Sequence, residues 1–217
     1  VPNLDAIFAS TKVQSGKRPV IIIPGILGSE LVNSNTGEKV WVNLSPAKGD
    51  GLSLPISPNL TENRDSLVAK QIIKTVKVSW FLPEVSVYQT LTDAMERYGG
   101  YTEGDWENPD ISKGGTDKYY VFAYDWRLDN VENARLLIRK IENLKQKFSN
   151  PNLRFNVMAH SMGGLLARYA AMYGDNDLPA NGEKPVPNWQ GARHFNKIFM
   201  FGTPNEGAMA TLDTLLN

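Results

Sequence analysis

Apolar positions gather into short compact runs separated by longer segments of helical spacing. Residues 19–23 (PVIII), 119–124 (YYVFAY), 155–159 (FNVMA) and 195–201 (FNKIFMF) are mostly apolar, with little alternation. Strands covered on both faces read this way. Residues 87–98 set Val87, Leu91, Ala94, Met95 and Tyr98 on one helical face and stop at Gly99 and Gly100. Residues 131–148 form the clearest amphipathic helix, with an apolar face from Val131 to Phe148 and a solvated, charged outer face that ends at Asn150-Pro151. Residues 162–172 (MGGLLARYAAM) are alanine-rich and repeat Leu165, Leu166, Tyr169 and Met172 at helical spacing. Strands alternating with helical crossovers predict a parallel sheet with helices on both faces. Further expectations are a short helix at 4–10, short strands at 40–42 and 72–80, and the start of a helix at 208–216.

The pattern breaks at residues 33–79, which are irregular and locally rich in Gly, Pro, Ser and Asn. A loop this long inside a compact domain is usually functional. It is expected to form a cap. Trp41, Leu52, Leu54, Ile56, Trp80, Phe81 and Leu82 would either line an apolar pocket beneath that cap, touch a lipid surface, or fill the cap's own core.

Candidate chemistry centres on Ala159-His160-Ser161-Met162-Gly163-Gly164, where two residues separate a strand from a helix. So tight a reversal strains the serine backbone and holds it at the strand's C-terminal edge. Small neighbours let strand and helix approach, as in the G-x-S-x-G elbow, here with alanine at the first glycine. Ser161 is the expected nucleophile. The Met162 N–H, at a helix N-terminus, is an expected oxyanion donor. The strand at 19–23 runs into Pro24-Gly25-Ile26-Leu27-Gly28-Ser29, a loop at the edge where open α/β sheets bind ligands. Gly25 and Gly28 let this loop turn and present its N–H groups, and the Ile26 N–H is the expected second donor. Asp125 and Arg127 end another strand and read as a structural pair bracing that loop. Gly163 serves the elbow, and Thr203 lies in the loop Gly202–Gly207 on the same edge.

Composition narrows the function classes. The 217 residues suffice for one domain with a full core. Lys plus Arg and Asp plus Glu both number 23, so the chain lacks the basic excess that a nucleic-acid partner needs. There is no cysteine, which excludes disulfides, thiolate metal sites and cysteine nucleophiles. With only His160 and His194, a histidine metal site is not expected, and neither is a cofactor. No apolar run is long enough to span a bilayer. A soluble protein, secreted or peripheral to a membrane, is the expectation.

The order P-G-x-L-G-S (24–29), Y-D-W-R (124–127), H-S-M-G-G (160–164) and G-T-P (202–204) resembles the lecithin:cholesterol acyltransferase family of α/β-hydrolases. The likeness extends over residues 19–207 and is weak in the insertion. It implies an α/β-hydrolase fold, with the cap inserted after the oxyanion loop. It also implies an acyl-Ser161 intermediate on a lipid ester, oxyanion donors at Ile26 and Met162, and a lipid-facing cap at 33–79. The family's cysteines are absent here.

In such hydrolases the acid and the histidine follow later strands, in the order Ser, Asp, His. His160 on the elbow should point away from the Ser161 hydroxyl. His194 precedes its strand and so sits at the opposite sheet edge. Asp213 has no histidine to orient. The triad acid and histidine are thus expected outside these residues, in a C-terminal segment of the same protein or a partner chain. The alternatives are a pseudo-hydrolase that binds lipid or a partner, and an esterase for small esters.

Overall fold

Val20–Ile23 (β1) is built of four β-branched residues, all buried. The computed structural model, which describes residues 3, 5, 8, 15–42, 51–59, 62–76, 85–112, 115–180 and 182–208, puts this strand at the middle of the main sheet. The chain continues through Ser29–Asn33 (β2), Lys39–Trp41 (β3), Leu67–Ile72 (β4), Thr75–Val76 (β5) and Val85–Ser86 (β6). Helix α1 (Gln89–Arg97), Thr102–Glu103 (β7), Lys118–Val121 (β8) and helix α2 (Asn130–Lys147) follow. Phe155–His160 (β9), helix α3 (Met162–Tyr173), a 3-10 turn at Gln190–His194 and Phe195–Phe201 (β10) complete the order.

Five of these strands make a fully parallel sheet in the order β10-β9-β1-β8-β7. Ile21 stands opposite Tyr120 on one side and Val157 on the other. The two-residue period of β1 sorts its side chains between layers. Ile21 and Ile23 pack with Tyr120, Val157 and Ala159 beneath α2 and α3, whereas Val20 and Ile22 pack with Tyr119 and Tyr88 on the α1 side. Each buried isoleucine contributes about 1.5–3 kcal/mol. Both faces are covered, so the fold is α/β with helices on either side of the sheet. The Asp129 carboxylate caps α2 by accepting from the Val131 N–H at 2.7 Å.

Several boundaries differ from expectation. The strand expected at 119–124 stops at Val121, because Tyr124 turns to the 24–29 loop. Its N–H donates to Ser29 Oγ (3.1 Å) and its hydroxyl to the Pro24 carbonyl (3.0 Å). β10, read as central, is an outer strand among the described residues. It pairs with β9 alone, and Phe199, Met200 and Phe201 are 47%, 42% and 49% exposed. Its apolar composition carries no information on how many neighbours it has. The insertion contains β4, which was not expected. It pairs with β2 in an antiparallel sheet of order β3-β2-β4. Only the two ends of LVAKQI are buried, so no period marks it. Of the strand expected at 72–80, the described part is the end of β4 and the two residues of β5. Residues 77–84 lie outside the described residues, as do most of 4–10 and 209–217. No described helix is long and apolar enough to cross a membrane.

Candidate active site

Ser161 joins β9 to α3 with φ +52° and ψ −124°, a conformation an L residue adopts only under strain. The surroundings hold it there. Its N–H donates to the Phe201 carbonyl (2.8 Å), continuing the β9–β10 pairing, and its own carbonyl accepts from the Gly164 N–H (3.0 Å). The side chain does not cap α3. Ser161 Oγ is half-exposed and meets no partner among the described residues. Gly163 is required by contact. A Cβ there would stand 2.4 Å from the Pro24 carbonyl oxygen and 2.9 Å from that of Ile23. The helix start thus sits directly on the end of β1, which brings the elbow and the 24–29 loop together.

That loop is a tight turn. The Gly28 N–H donates to the Gly25 carbonyl (3.1 Å), with Leu27 at φ +62°. Three aromatic residues fix it. Tyr124 bonds Pro24 and Ser29 as described, the Trp126 indole donates to the Ser29 carbonyl (3.2 Å), and the Trp41 indole donates to the Leu27 carbonyl (2.8 Å). Gly25 faces the serine: a Cβ on it would lie 3.0 Å from Ser161 Cβ and 3.1 Å from His160 Nδ1. Among the described residues, neither the Ile26 nor the Met162 N–H meets a protein acceptor. The Ile26 and Leu27 side chains are 56% and 42% exposed at the mouth of the site.

A residue not singled out from the sequence joins the two loops. Tyr88, buried just before α1, accepts the Gly25 N–H at 2.8 Å and shares a 2.8 Å hydrogen bond with His160 Nδ1. Burial holds its hydroxyl above the ordinary tyrosine range, partly offset by the Gly25 N–H, so it keeps its proton near neutrality. A helical period places such a residue on a face but gives no sign that its hydroxyl reaches a loop 63 residues away.

Beside His160 runs an apolar groove of about 330 Å³, lined by Val87, Tyr88, Leu91, Met158, His160 and Phe201. Among the described residues it is built from the main sheet and the start of α1, and Trp41, Leu52, Leu54 and Ile56 do not line it. Trp41 braces the loop. Leu54 borders a polar cleft with Asn63 and Arg64, Leu52 gives its carbonyl to Arg127, and Ile56 is fully exposed. Trp80, Phe81 and Leu82 lie outside the described residues.

Asp125 and Arg127 do pair, at 2.7 Å, but they do not brace the 24–29 loop directly. All five guanidinium N–H groups of Arg127 are engaged. Nε and Nη2 donate to the two Asp125 oxygens (3.0 and 2.7 Å), Nη1 and Nη2 to those of Asp65 (2.7 and 3.0 Å), and Nη1 also to the Leu52 carbonyl (3.2 Å). This clamp ties the insertion to the end of β8. Burial opposes the Arg127 charge, but the two carboxylates outweigh it and raise its pKa. Thr203 packs against α3: a Cβ on Gly164 would collide with its side chain, and its buried Oγ1 has no partner among the described residues.

Neither histidine is offered to Ser161. His160 engages Tyr88 through Nδ1. His194 is buried at the opposite end of β10, next to Glu142, roughly 20 Å away along the strand. Asp213 lies outside the described residues.

A family model described as lecithin:cholesterol acyltransferase matches residues 115–217. The matched span holds the Tyr124–Arg127 segment, the elbow and the Gly202–Pro204 loop. The chain is 26% identical over 200 residues to lecithin-cholesterol acyltransferase-like 4 of Arabidopsis thaliana, covering 82% of this chain and 34% of that protein. It is 27% identical over 149 residues to an uncharacterized protein, YJR098C, of Saccharomyces cerevisiae, covering 68% of this chain and 20% of that one. Among solved structures, one from the crystal structure of the Tle4-Tli4 complex aligns at 18% identity with a TM-score of 0.44, covering 74% of this chain and 44% of that chain. The chain therefore spans about a third or less of the curated relatives it matches.

Proposed function

We propose that this chain, which belongs to the lecithin:cholesterol acyltransferase family, carries the nucleophile and oxyanion donors of a serine acyl hydrolase or O-acyltransferase acting on lipid esters. One observation carries the reading. Ser161 is held at a strained backbone angle at the N-terminus of α3 and against Gly25, and among the described residues neither its hydroxyl nor the N–H of Ile26 after Gly25 has a partner.

In this reading Ser161 Oγ gives its proton to the base and forms a bond to the ester carbonyl carbon, and the carbonyl oxygen becomes an oxyanion bonded by the Ile26 and Met162 N–H groups. The N-terminal end of α3 adds a favourable field for that charge. The tetrahedral intermediate then collapses. The carbon–oxygen bond to the alcohol breaks, the alcohol leaves with the proton that the base took from Ser161, and acyl-Ser161 passes its acyl group to water or to an acceptor alcohol, whose proton returns through the base to Ser161 Oγ. A histidine and an acid from outside the described residues serve as base and orienter, since His160 and His194 are engaged elsewhere. The groove along Met158, Leu91 and Phe201 suits an acyl chain. The exposed Ile26 and Leu27 suit transient contact with a lipid surface, beneath a cap formed by the 33–79 insertion.

A fluorophosphonate probe applied to the full-length protein should label Ser161, with Ser161→Ala as the control. No labelling would overturn the proposal in favour of a binding protein that keeps the groove without the chemistry. A panel of esters of graded acyl length then separates lipid esters from small ones.

A further inference from the structure

We infer that Tyr88 is a positioning residue for the oxyanion loop, setting the direction of the Ile26 N–H and linking it, through His160, to the serine elbow. The inference rests on the roles proposed above for Ser161 and Ile26.

Gly25 has no side chain to hold its backbone in place. It is fixed instead at both ends. Its N–H donates to Tyr88 Oη at 2.8 Å, and its carbonyl accepts from the Gly28 N–H at 3.1 Å. The Gly25 carbonyl and the Ile26 N–H belong to one planar trans peptide and point in opposite directions. Turning the carbonyl toward Gly28 therefore turns the Ile26 N–H outward. Tyr88 holds the preceding peptide, and so removes the remaining rotation at Gly25.

The hydroxyl also fixes a neighbour. Tyr88 Oη accepts from Gly25, so its one proton goes to its other partner, His160 Nδ1. With Oη as the donor, Nδ1 is the acceptor and the imidazole carries its proton on Nε2. The tyrosine and imidazole rings meet edge to face at 5.9 Å, and a Cβ on Gly28 would stand 3.2 Å from the Tyr88 ring. One buried side chain thus spans the gap between the loop that would hold the oxyanion and the residue before the nucleophile.

The test uses the full-length protein with Tyr88→Phe. Tyr119→Phe serves as the control, because it removes a hydroxyl bonded to Glu96 from the same core cluster. Tyr88→Phe should slow fluorophosphonate labelling of Ser161 about ten- to a hundredfold and lower kcat on an ester at unchanged KM, while Tyr119→Phe labels like the wild type. NMR of the ring nitrogens should find the His160 proton on Nε2 in the wild type, with that preference lost in Tyr88→Phe. If Ser161 labels in the wild type and equally fast in Tyr88→Phe, this inference fails alone. If wild-type Ser161 does not label, the reading it rests on fails with it. A His160 proton found on Nδ1 overturns the assignment of Tyr88 as the donor in that bond.

Discussion

The backbone of Gly25 and the side chain of Ser161 are in direct contact, so close that a Cβ on Gly25 would stand 3.0 Å from the Cβ of Ser161. The loop and the nucleophile cannot move independently. Gly25→Ala should therefore push them apart by a few tenths of an ångström, with a loss of acyl transfer of about tenfold, since small misplacements of reacting groups are costly. The measurement is the labelling rate of Ser161 beside the thermal midpoint. A variant that labels normally would mean the contact does not set the geometry.

Gly163→Ala should act on folding instead. Its Cβ would meet the carbonyl oxygens of Pro24 and Ile23, at 2.4 and 2.9 Å. Backbone atoms at the end of a buried strand have no rotamer to adopt, so α3 must lift away. The expected cost is about 1–3 kcal/mol or more, read as a lowered urea midpoint at unchanged slope. An unaltered midpoint would show that α3 shifts without cost.

The Arg127 clamp offers a test of how the insertion is attached. Asp125 is buried, so Arg127→Ala leaves an uncompensated charge there and should cost about 3–5 kcal/mol. It should also speed proteolysis within residues 51–72. Asp65 gives the pH signature. Its carboxyl sits below the usual carboxylate value chiefly because Arg127 hydrogen-bonds it. Its contribution is present above the unfolded value of 3.8 and is lost as the pH falls below that. This acid-side loss should vanish in Arg127→Ala. If it persists unchanged, Asp65 is not the source.

Much of this architecture was legible in the sequence, and the parts that were not share a physical cause. The β-branched run of β1, the apolar face of α2 and the elbow each follow from local chemistry: covered strands carry no period, amphipathic helices do, and a two-residue reversal needs small neighbours. Tyr88 was hidden because its role depends on one hydroxyl meeting a backbone N–H far away in the chain. The partners of Arg127 were hidden because an ion pair written in adjacent residues says nothing of a third carboxylate at Asp65. The exposure of β10 was hidden because apolar composition reports the capacity for burial, not the presence of a neighbour. Trp41 read as pocket lining, lipid-surface contact or cap core, none of which names the Leu27 carbonyl that its indole N–H meets.

His194 gives a second pH dependence, at higher pH than Asp65. The ring is 1% exposed, its Nδ1 has no partner, and its Nε2 accepts from Arg193 Nε at 3.3 Å while lying 3.3 Å from Glu142. Burial, helped by the positive charges of Lys145 and Arg193 and opposed by Glu142 and Asp175, pushes its pKa down from 6.5 to about 4. Between those values the unfolded chain carries a proton that the folded ring refuses. Stability therefore rises with pH across this window, and is lost as the pH falls from 6.5 toward 4. The shift corresponds to about 3 kcal/mol. Thermal midpoints of the wild type should drop more steeply from pH 7 to pH 4 than those of His194→Phe, in which no ring titrates. Parallel profiles for the two proteins would show that the imidazole is protonated without opening the fold.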